Sequence, residues 1–515
     1  MKIAMFTNTY VPHVGGVAKS IKSLEDACRA HGHEVRVIAP EFDGAEESPD
    51  VLRVPAIQHF YGSDFSVRVP LPALVREFVE KFQPDIIHSH HPFLLGDAAM
   101  REAWKSRVPI VFTHHTLYER YTHYVPLDSP ALKRVAIRMA TEYSNLCDLV
   151  IAPSQSIAHL LKKRQVTTPI RVVPTGIDTG AFGSGRNLSF RKRLGIPRGA
   201  KVIGHVGRLA REKNLHFLAE AVATCLKNSP EAVFLLVGDG DCHQEMMEIL
   251  ATQADQGRIF HPGKQTGADL ADAYAAIDLF AFSSQTETQG MVLAEAMAAG
   301  TPVVALDGPG VREILHHGEN GILLEADASA HDFSQALLWL LGDEDFSKSC
   351  SAKARETAMD YDTEPCVTAM LQNYQELVER FALQGEGEWT RWDRVVTGIE
   401  IEWDLLAAKM AAAGAVIGIP AFMIVIAAAP LQAPELFVLG VILTGCTAGG
   451  AGCGSGLPTT RSSAGWSRRG PASSHELRRP ARHALQRGPG SRLPLPRWRA
   501  GQPAPRRGAH PSRRV

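Results

Sequence analysis

Apolar runs that do not alternate with polar residues recur along the first 325 residues, most of them followed by a stretch with helical spacing. The first set is "KIAMFT" (2–7), "EVRVIAP" (34–40), "PDIIHSH" (84–90), "PIVFTHH" (109–115), "LVIAPS" (149–154) and "IRVVPTG" (170–176). Strands apolar on both faces suit a parallel sheet covered by helices on each side. After the turn-rich "PTGIDTGAFGSG" (174–185) the rhythm restarts. The second set is "KVIGHVG" (201–207), "AVFLLVGDG" (232–240), "RIFHPG" (258–263), "DLFAFSS" (278–284), "TPVVALD" (301–307) and "GILLEA" (321–326). Two successive βα series joined by a Gly-rich hinge predict an α/β protein of two doubly wound domains facing each other across a cleft. The domains are expected at 1–180 and 190–363. Three helical stretches follow, at 328–343, 345–361 and 364–383. The last, taken as 364–382, is expected to cross back to the N-terminal domain.

The pattern changes twice beyond a linker at 383–404. Within 405–450, residues 411–429 ("AAAGAVIGIPAFMIVIAAA") are uncharged and apolar, close to the ~20 residues that span a bilayer. A shorter run, "LFVLGVILTGC" (436–446), follows Pro434 and Glu435. This predicts a membrane-associated segment, and a buried Ala-rich hairpin is the alternative. Residues 451–515 are Gly-, Pro-, Ser- and Arg-rich without periodicity and are expected to be disordered. Arg without Lys in such a tail is also what a frame-shifted reading of GC-rich DNA yields.

Charge sharpens this division. The net charge of −1 conceals a tail with fourteen Arg, no Lys and one Glu, so the remainder is acidic. An acidic body gives no support to a nucleic-acid partner. The eight cysteines show no CxxC pair or even spacing, which fits reduced thiols better than disulfides or a zinc site. The N-terminal apolar run is too short for a signal peptide.

Candidate chemistry lies in the loops after strands. In "TNTYVPHVGGV", Gly15 and Gly16 precede a helical pattern and would let amide N–H groups approach a phosphate. The GxGxxG fingerprint of dinucleotide oxidoreductases does not stand there. In "GHVGRLAREKN", Arg208 and Lys213 follow a strand and suit a diphosphate, whereas Arg211 and Glu212 read as solvated loop charges. In "TETQGMVLAEAMAAG" (286–300), Glu287 falls in a polar loop and Glu295 inside the helix that starts near Gly290, with Gly300 as its C-terminal stop. The amides of Gln289, Gly290, Met291 and Val292 would face an anion at that helix start. Eight helical residues span ~12 Å, against about 5–9.5 Å for paired glycosidase carboxylates, so two grips on one elongated ligand fit better than an acid–base pair.

Together, "GGV" (15–17), "PTGID" (174–178), "GRLAREKN" (207–214), "VGDG" (237–240) and the Glu-x7-Glu segment resemble the family-4 glycosyltransferases, retaining enzymes of the two-Rossmann-domain GT-B fold. The match spans roughly residues 1–382. "HSHHPFLLGD" (88–97) and "THHTLYERYTHYVP" (113–126) look closest to members that glycosylate membrane lipids, such as glucosyl-diacylglycerol synthases and phosphatidylinositol mannosyltransferases. The resemblance implies that Glu295 binds the nucleotide ribose and Glu287 the sugar hydroxyls. Arg208 and Lys213 would hold the diphosphate, with the Gly16 backbone closing over it. His115 takes the place of the family's active-site histidine, with His114 the alternative if the register slips by one. The family often has "EGFG" where this chain has "ETQG". The "DGD" at 239–241 imitates a metal motif but coincides with the family's "VGDG" loop.

The expectation is therefore a hexosyltransferase without metal or cofactor beyond its nucleotide-sugar co-substrate. Its acceptor would be a lipid at the cytoplasmic face of the membrane, reached peripherally or through 411–446. The alternatives are a soluble acceptor (a sugar phosphate or inositol derivative) and a non-catalytic nucleotide-sugar-binding scaffold.

Overall fold

The computed structural model describes residues 1–13, 15–57, 67–68, 72–120 and 129–384. The expected linker beyond residue 384, the apolar segment 405–450 and the tail 451–515 lie outside the described residues. Among those described, no helix is long and apolar enough to cross a membrane.

The first domain is built on strands β1 (Lys2–Phe6), β2 (Glu34–Pro40), β3 (Val51–Val54), a short antiparallel pair β4 (Ala56–Ile57) and β5 (Val67–Arg68), then β6 (Ile86–Ser89), β7 (Ile110–Thr113), β8 (Leu149–Ala152) and β9 (Ile170–Val172). Its seven-stranded sheet runs β3-β2-β1-β6-β7-β8-β9, parallel throughout. The second domain holds β10 (Lys201–Val206), β11 (Ala232–Val237), β12 (Ile259–Gly263), β13 (Leu279–Phe282), β14 (Val303–Leu306) and β15 (Gly321–Leu324). Its order is β12-β11-β10-β13-β14-β15, again parallel.

Both orders reverse direction once, between β1 and β6 and between β10 and β13. Loops diverge at such a switch point and leave a crevice at the carboxyl ends of the strands. Burial explains why these runs fold as central strands: every residue of β6, β7, β8, β11, β13 and β14 is buried. Three short strands, β3, β4 and β5, fall outside the runs read from the sequence, and of these only β3 joins the main sheet. Three of its four residues are only half-buried because it is an edge strand, so "VLRV" lacks the continuous apolar signature.

The chain crosses between domains twice. At the crossings the Ile177 amide donates to the Tyr361 carbonyl at 2.8 Å, and the Thr363 amide donates to the Ile177 carbonyl at 3.0 Å. The helix Thr363–Gln384 then packs on the first domain, burying Val367, Met370, Tyr374 and Leu377 among Ile3, Met5, Ile21 and Val35. The six cysteines among the described residues are buried thiols.

Candidate active site

The charged half of the site grows from the end of β13. Ser283 and Ser284 close the strand, and the helix Met291–Ala298 starts seven residues on. Gly290 turns the chain into this helix at φ +80°, a left-handed conformation costly for a side-chain-bearing residue. Leu293 makes the first bond of the helix, to the Gly290 carbonyl, so the amides of Met291 and Val292 precede the hydrogen-bonded ladder. At the other end Gly300 bonds Met297 and Thr301 bonds Ala296, a closed C-terminal motif.

Within the loop, Glu287 Oε1 accepts from Lys213 Nζ at 2.5 Å and from Ser284 Oγ at 2.9 Å. Burial pushes its carboxyl up, but Lys213 and the donated hydrogen bonds outweigh burial and hold it below the usual range. Glu287 is therefore a carboxylate already paired with the cation expected beside a diphosphate. Ser283 Oγ donates to the Lys213 and Asn214 carbonyls at 3.0 Å, fixing the lysine's backbone to the strand end. Arg208 pairs with Glu212 in the same loop. Glu212, read as a solvated charge, has a side chain only 2% exposed where it pairs with Arg208.

Glu295 is 5% exposed. Tyr274 donates to Oε2 at 2.6 Å, and Lys19 of the first domain stands 3.9 Å from Oε1. Burial pushes this carboxyl up, and Lys19 and Tyr274 only partly offset it. Lys19 lies one turn into the helix Gly16–Ala30, whose N-cap is Gly15. A Cβ at Gly16 would meet nothing within 4 Å, so this helix start is open to a close-approaching group.

The neutral half comes from the ends of β6 and β7. His115 Nε2 and His90 Nδ1 lie 2.9 Å apart, so one ring donates and the other accepts. His88 bridges Thr113 Oγ1 at 2.7 Å and the Tyr374 hydroxyl, while His91 Nδ1 accepts from the Asn8 amide at 3.1 Å. Burial pushes His90 and His115 well below the ordinary histidine range, His88 and His91 to about 3, and His114 to about 4. All are neutral near pH 7. His115 lines a cavity of about 30 Å³ with Ser20, His90, Thr113, Thr175 and Cys366. His114 does not line it; its ring packs edge-on against Phe112 and Tyr118.

The two halves meet through side-chain contacts that no sequence pattern singled out. Thr288 Oγ1 donates to the His115 carbonyl at 2.8 Å, and Ser154 Oγ donates to the Thr288 carbonyl at 2.7 Å. The Gln289 side chain accepts from the Thr175 amide and donates to the Thr175 carbonyl, both at 2.7 Å. Glu313 accepts from the amide and hydroxyl of Ser156 at 2.7 and 2.5 Å. A Thr-Gln pair in a polar loop carries no periodicity, so only the folded chain reveals what it touches. Among the described residues, no group of three or more His, Cys, Asp or Glu is assembled that could hold a metal ion. The "DGD" loop turns on itself, with Asp239 accepting from the Gly240 amide at 2.8 Å.

A cleft edged by a lysine–carboxylate pair on one side and neutral histidines on the other now has counterparts. The "Glycosyltransferase Family 4" model matches residues 14–181, and the "Glycosyl transferases group 1" model matches 187–357. The chain is 31% identical over 376 residues to the alpha-monoglucosyldiacylglycerol synthase of Streptococcus pneumoniae, covering 68% of this chain and 84% of that protein. The chain belongs to the family-4 glycosyltransferases. A second relative is the GDP-mannose-dependent alpha-mannosyltransferase of Corynebacterium glutamicum, 28% identical over 73% of this chain and 89% of its own length. In fold, this glycosyltransferase is similar to the sucrose-phosphate synthase of Thermosynechococcus elongatus, at a TM-score of 0.60 and 22% identity over 74% of this chain and 99% of that one. The architecture is GT-B, and the enzyme is a hexosyltransferase that uses a nucleotide sugar.

Proposed function

We propose that this glycosyltransferase moves a hexose, with retention of configuration, from a nucleotide diphosphate sugar to a lipid acceptor at the membrane surface. The observation that carries the donor half is the Lys213–Glu287 pair, braced by Ser284 at the switch point of the second sheet. In this reading a bound donor inserts its diphosphate beside Lys213 and Arg208, and the Met291 and Val292 amides complete the anion site. Glu287 then accepts from sugar hydroxyls, and Glu295 from the ribose. The amides of Gly15 and Gly16 close over the phosphates from the first domain, whereas Gln289 and Gly290 shape the loop between the carboxylates.

Cleavage of the sugar–phosphate bond builds negative charge on the departing diphosphate and oxocarbenium character on the sugar. Fixed cations and amides stabilise the first without reorganising. The leaving phosphate oxygen lies on the face the acceptor must approach, so it takes the acceptor's proton, and no protein nucleophile is assigned. His115 stays uncharged and offers a ring nitrogen to the sugar.

The lipid acceptor is supported by the lipid product named for the pneumococcal relative and by the apolar run at 411–429. A panel of UDP- and GDP-hexoses offered with extracted lipids, read by mass spectrometry, tests both halves. A glycolipid product with one donor is expected. Transfer only to a sugar phosphate or inositol derivative, in a chain truncated after residue 384, would favour the soluble-acceptor reading. Product formation undiminished in both Glu287→Ala and His115→Ala would remove the site assignment.

A further inference from the structure

The Thr288-Gln289 dipeptide stands where the family pattern has Gly-Phe, and its contacts converge on one place. We infer that it is a latch holding the donor loop to the interdomain crossing. It thereby makes Thr288 and Gln289 positioning residues for His115 and Glu287. The inference rests on the proposed reading of the cleft and extends it.

Gln289 is 4% exposed and grips both polar groups of a single peptide position, the Thr175 amide and carbonyl. Those two bonds also fix which end of its amide carries oxygen. Thr175 lies two residues before Ile177, where the two chain crossings bond to each other. Among the described residues, no main-chain carbonyl accepts from the Thr175 amide, so its protection comes from the other domain. Thr175 Oγ1 meets Ser20 Oγ at 2.9 Å, tying the same residue to the helix that starts at the first domain's glycine turn.

Thr288 makes the second connection. Its hydroxyl donates to the His115 carbonyl and its own carbonyl accepts from Ser154, so it is held between two strand ends of the first domain. A glycine there would have no hydroxyl to offer. Glu287, the residue before it, donates nothing to this network but is locked to it through backbone: its carbonyl accepts from the Gly310 amide at 3.0 Å. Gly310 backs Gln289 so closely that a Cβ would lie 2.6 Å from the Gln289 nitrogen. The loop is thus clamped from behind and latched in front. A sugar drawn toward Glu287 would be brought into register with His115 by residues that need touch no ligand through their side chains.

Hydrogen exchange of the full chain reads the latch without turnover. In Gln289→Met, which keeps length and removes both hydrogen bonds, the Thr175 amide should exchange at least about tenfold faster. The Ile177 amide, bonded to Tyr361, and core amides such as Leu235 should keep their rates. Thr288→Val, which removes only the hydroxyl, should lower kcat several-fold on the active donor while leaving its KM within about twofold. Should Gln289→Met lose core protection, Thr288→Val alone carries the test through kcat, and an unchanged kcat in a folded Thr288→Val chain would overturn the positioning role. Unchanged Thr175 exchange in a folded Gln289→Met chain would overturn the latch. A chain that is latched yet inactive with every donor would instead count against the proposed function.

Discussion

At the carboxyl edge of the first sheet stand His88, His90, His91 and His114, buried, and His115, half-buried, all uncharged; at the same edge of the second stand Lys213, Glu287 and Glu295. Both sheets share the strand order around the switch point, so topology decides only where a ligand sits. The loops decide what that ligand is, and here they divide the work. Fixed charge on one wall suits an anion, and a neutral wall suits hydroxyl groups. Function is thus grafted onto two copies of one scaffold.

Lys213→Ala attacks the charged wall where it is most concentrated. It strips Glu287 of its counter-charge, and breaking such a sheltered pair is expected to cost about 3 kcal/mol in urea unfolding. Transfer should fall by about 10²- to 10³-fold, as when one preorganised donor to a developing charge is lost. Activity within a factor of two of the parent would erase the contrast between the walls. Glu295→Gln separates stability from binding. Its folded pKa is raised above the unfolded carboxylate value, so ionised Glu295 costs stability once the pH exceeds about 4.5. The Gln variant should therefore be as stable or more stable at pH 7, while calorimetry shows donor affinity lower by about 10²-fold. A destabilised variant with intact affinity would make Glu295 structural.

Acid tests the neutral wall. A histidine whose folded pKa lies below its unfolded value near 6.5 contributes stability that is complete above that pH. The contribution drains away as the pH falls toward the folded value, about 3 for His91 and about 4 for His114. His91→Gln should reduce the stability lost between pH 7 and pH 5 by about 2 kcal/mol. An identical pH slope in parent and variant would mean His91 is not held neutral. The weakest link is Lys19, half-exposed and 3.9 Å from Glu295. Lys19→Met should lower donor affinity by no more than about fivefold. A larger loss would show that the cross-domain pair tightens around the donor.

How much of this could be read in residues depends on whether a signal is local. The buried strands were legible because β11 ("AVFLLV") and β14 ("VVAL") are apolar on both faces, and a parallel sheet is what buries both. Edge strand β3 was not, since a half-exposed four-residue segment leaves no such trace. Glu287, Lys213 and His115 could be singled out because each follows a strand end and matches a family motif. Lys19 and Tyr274 could not, for neither sits in a motif, and the motifs that hold Gln289 and Thr175 do not say that the two side-chain and main-chain groups bond each other.

What the amino-acid order alone settled was the βα rhythm, the two domains' central strands and the loops that carry charge. These follow from periodicity and turn chemistry within a few residues of one another. Only the folded chain decided that Glu295 is buried against Tyr274 and Lys19, that Glu212 turns inward, and that Thr288 and Gln289 reach Ser154, His115 and Thr175. Most of these partners lie more than a hundred residues apart and are chosen by how two sheets present their edges, and no local pattern encodes that choice.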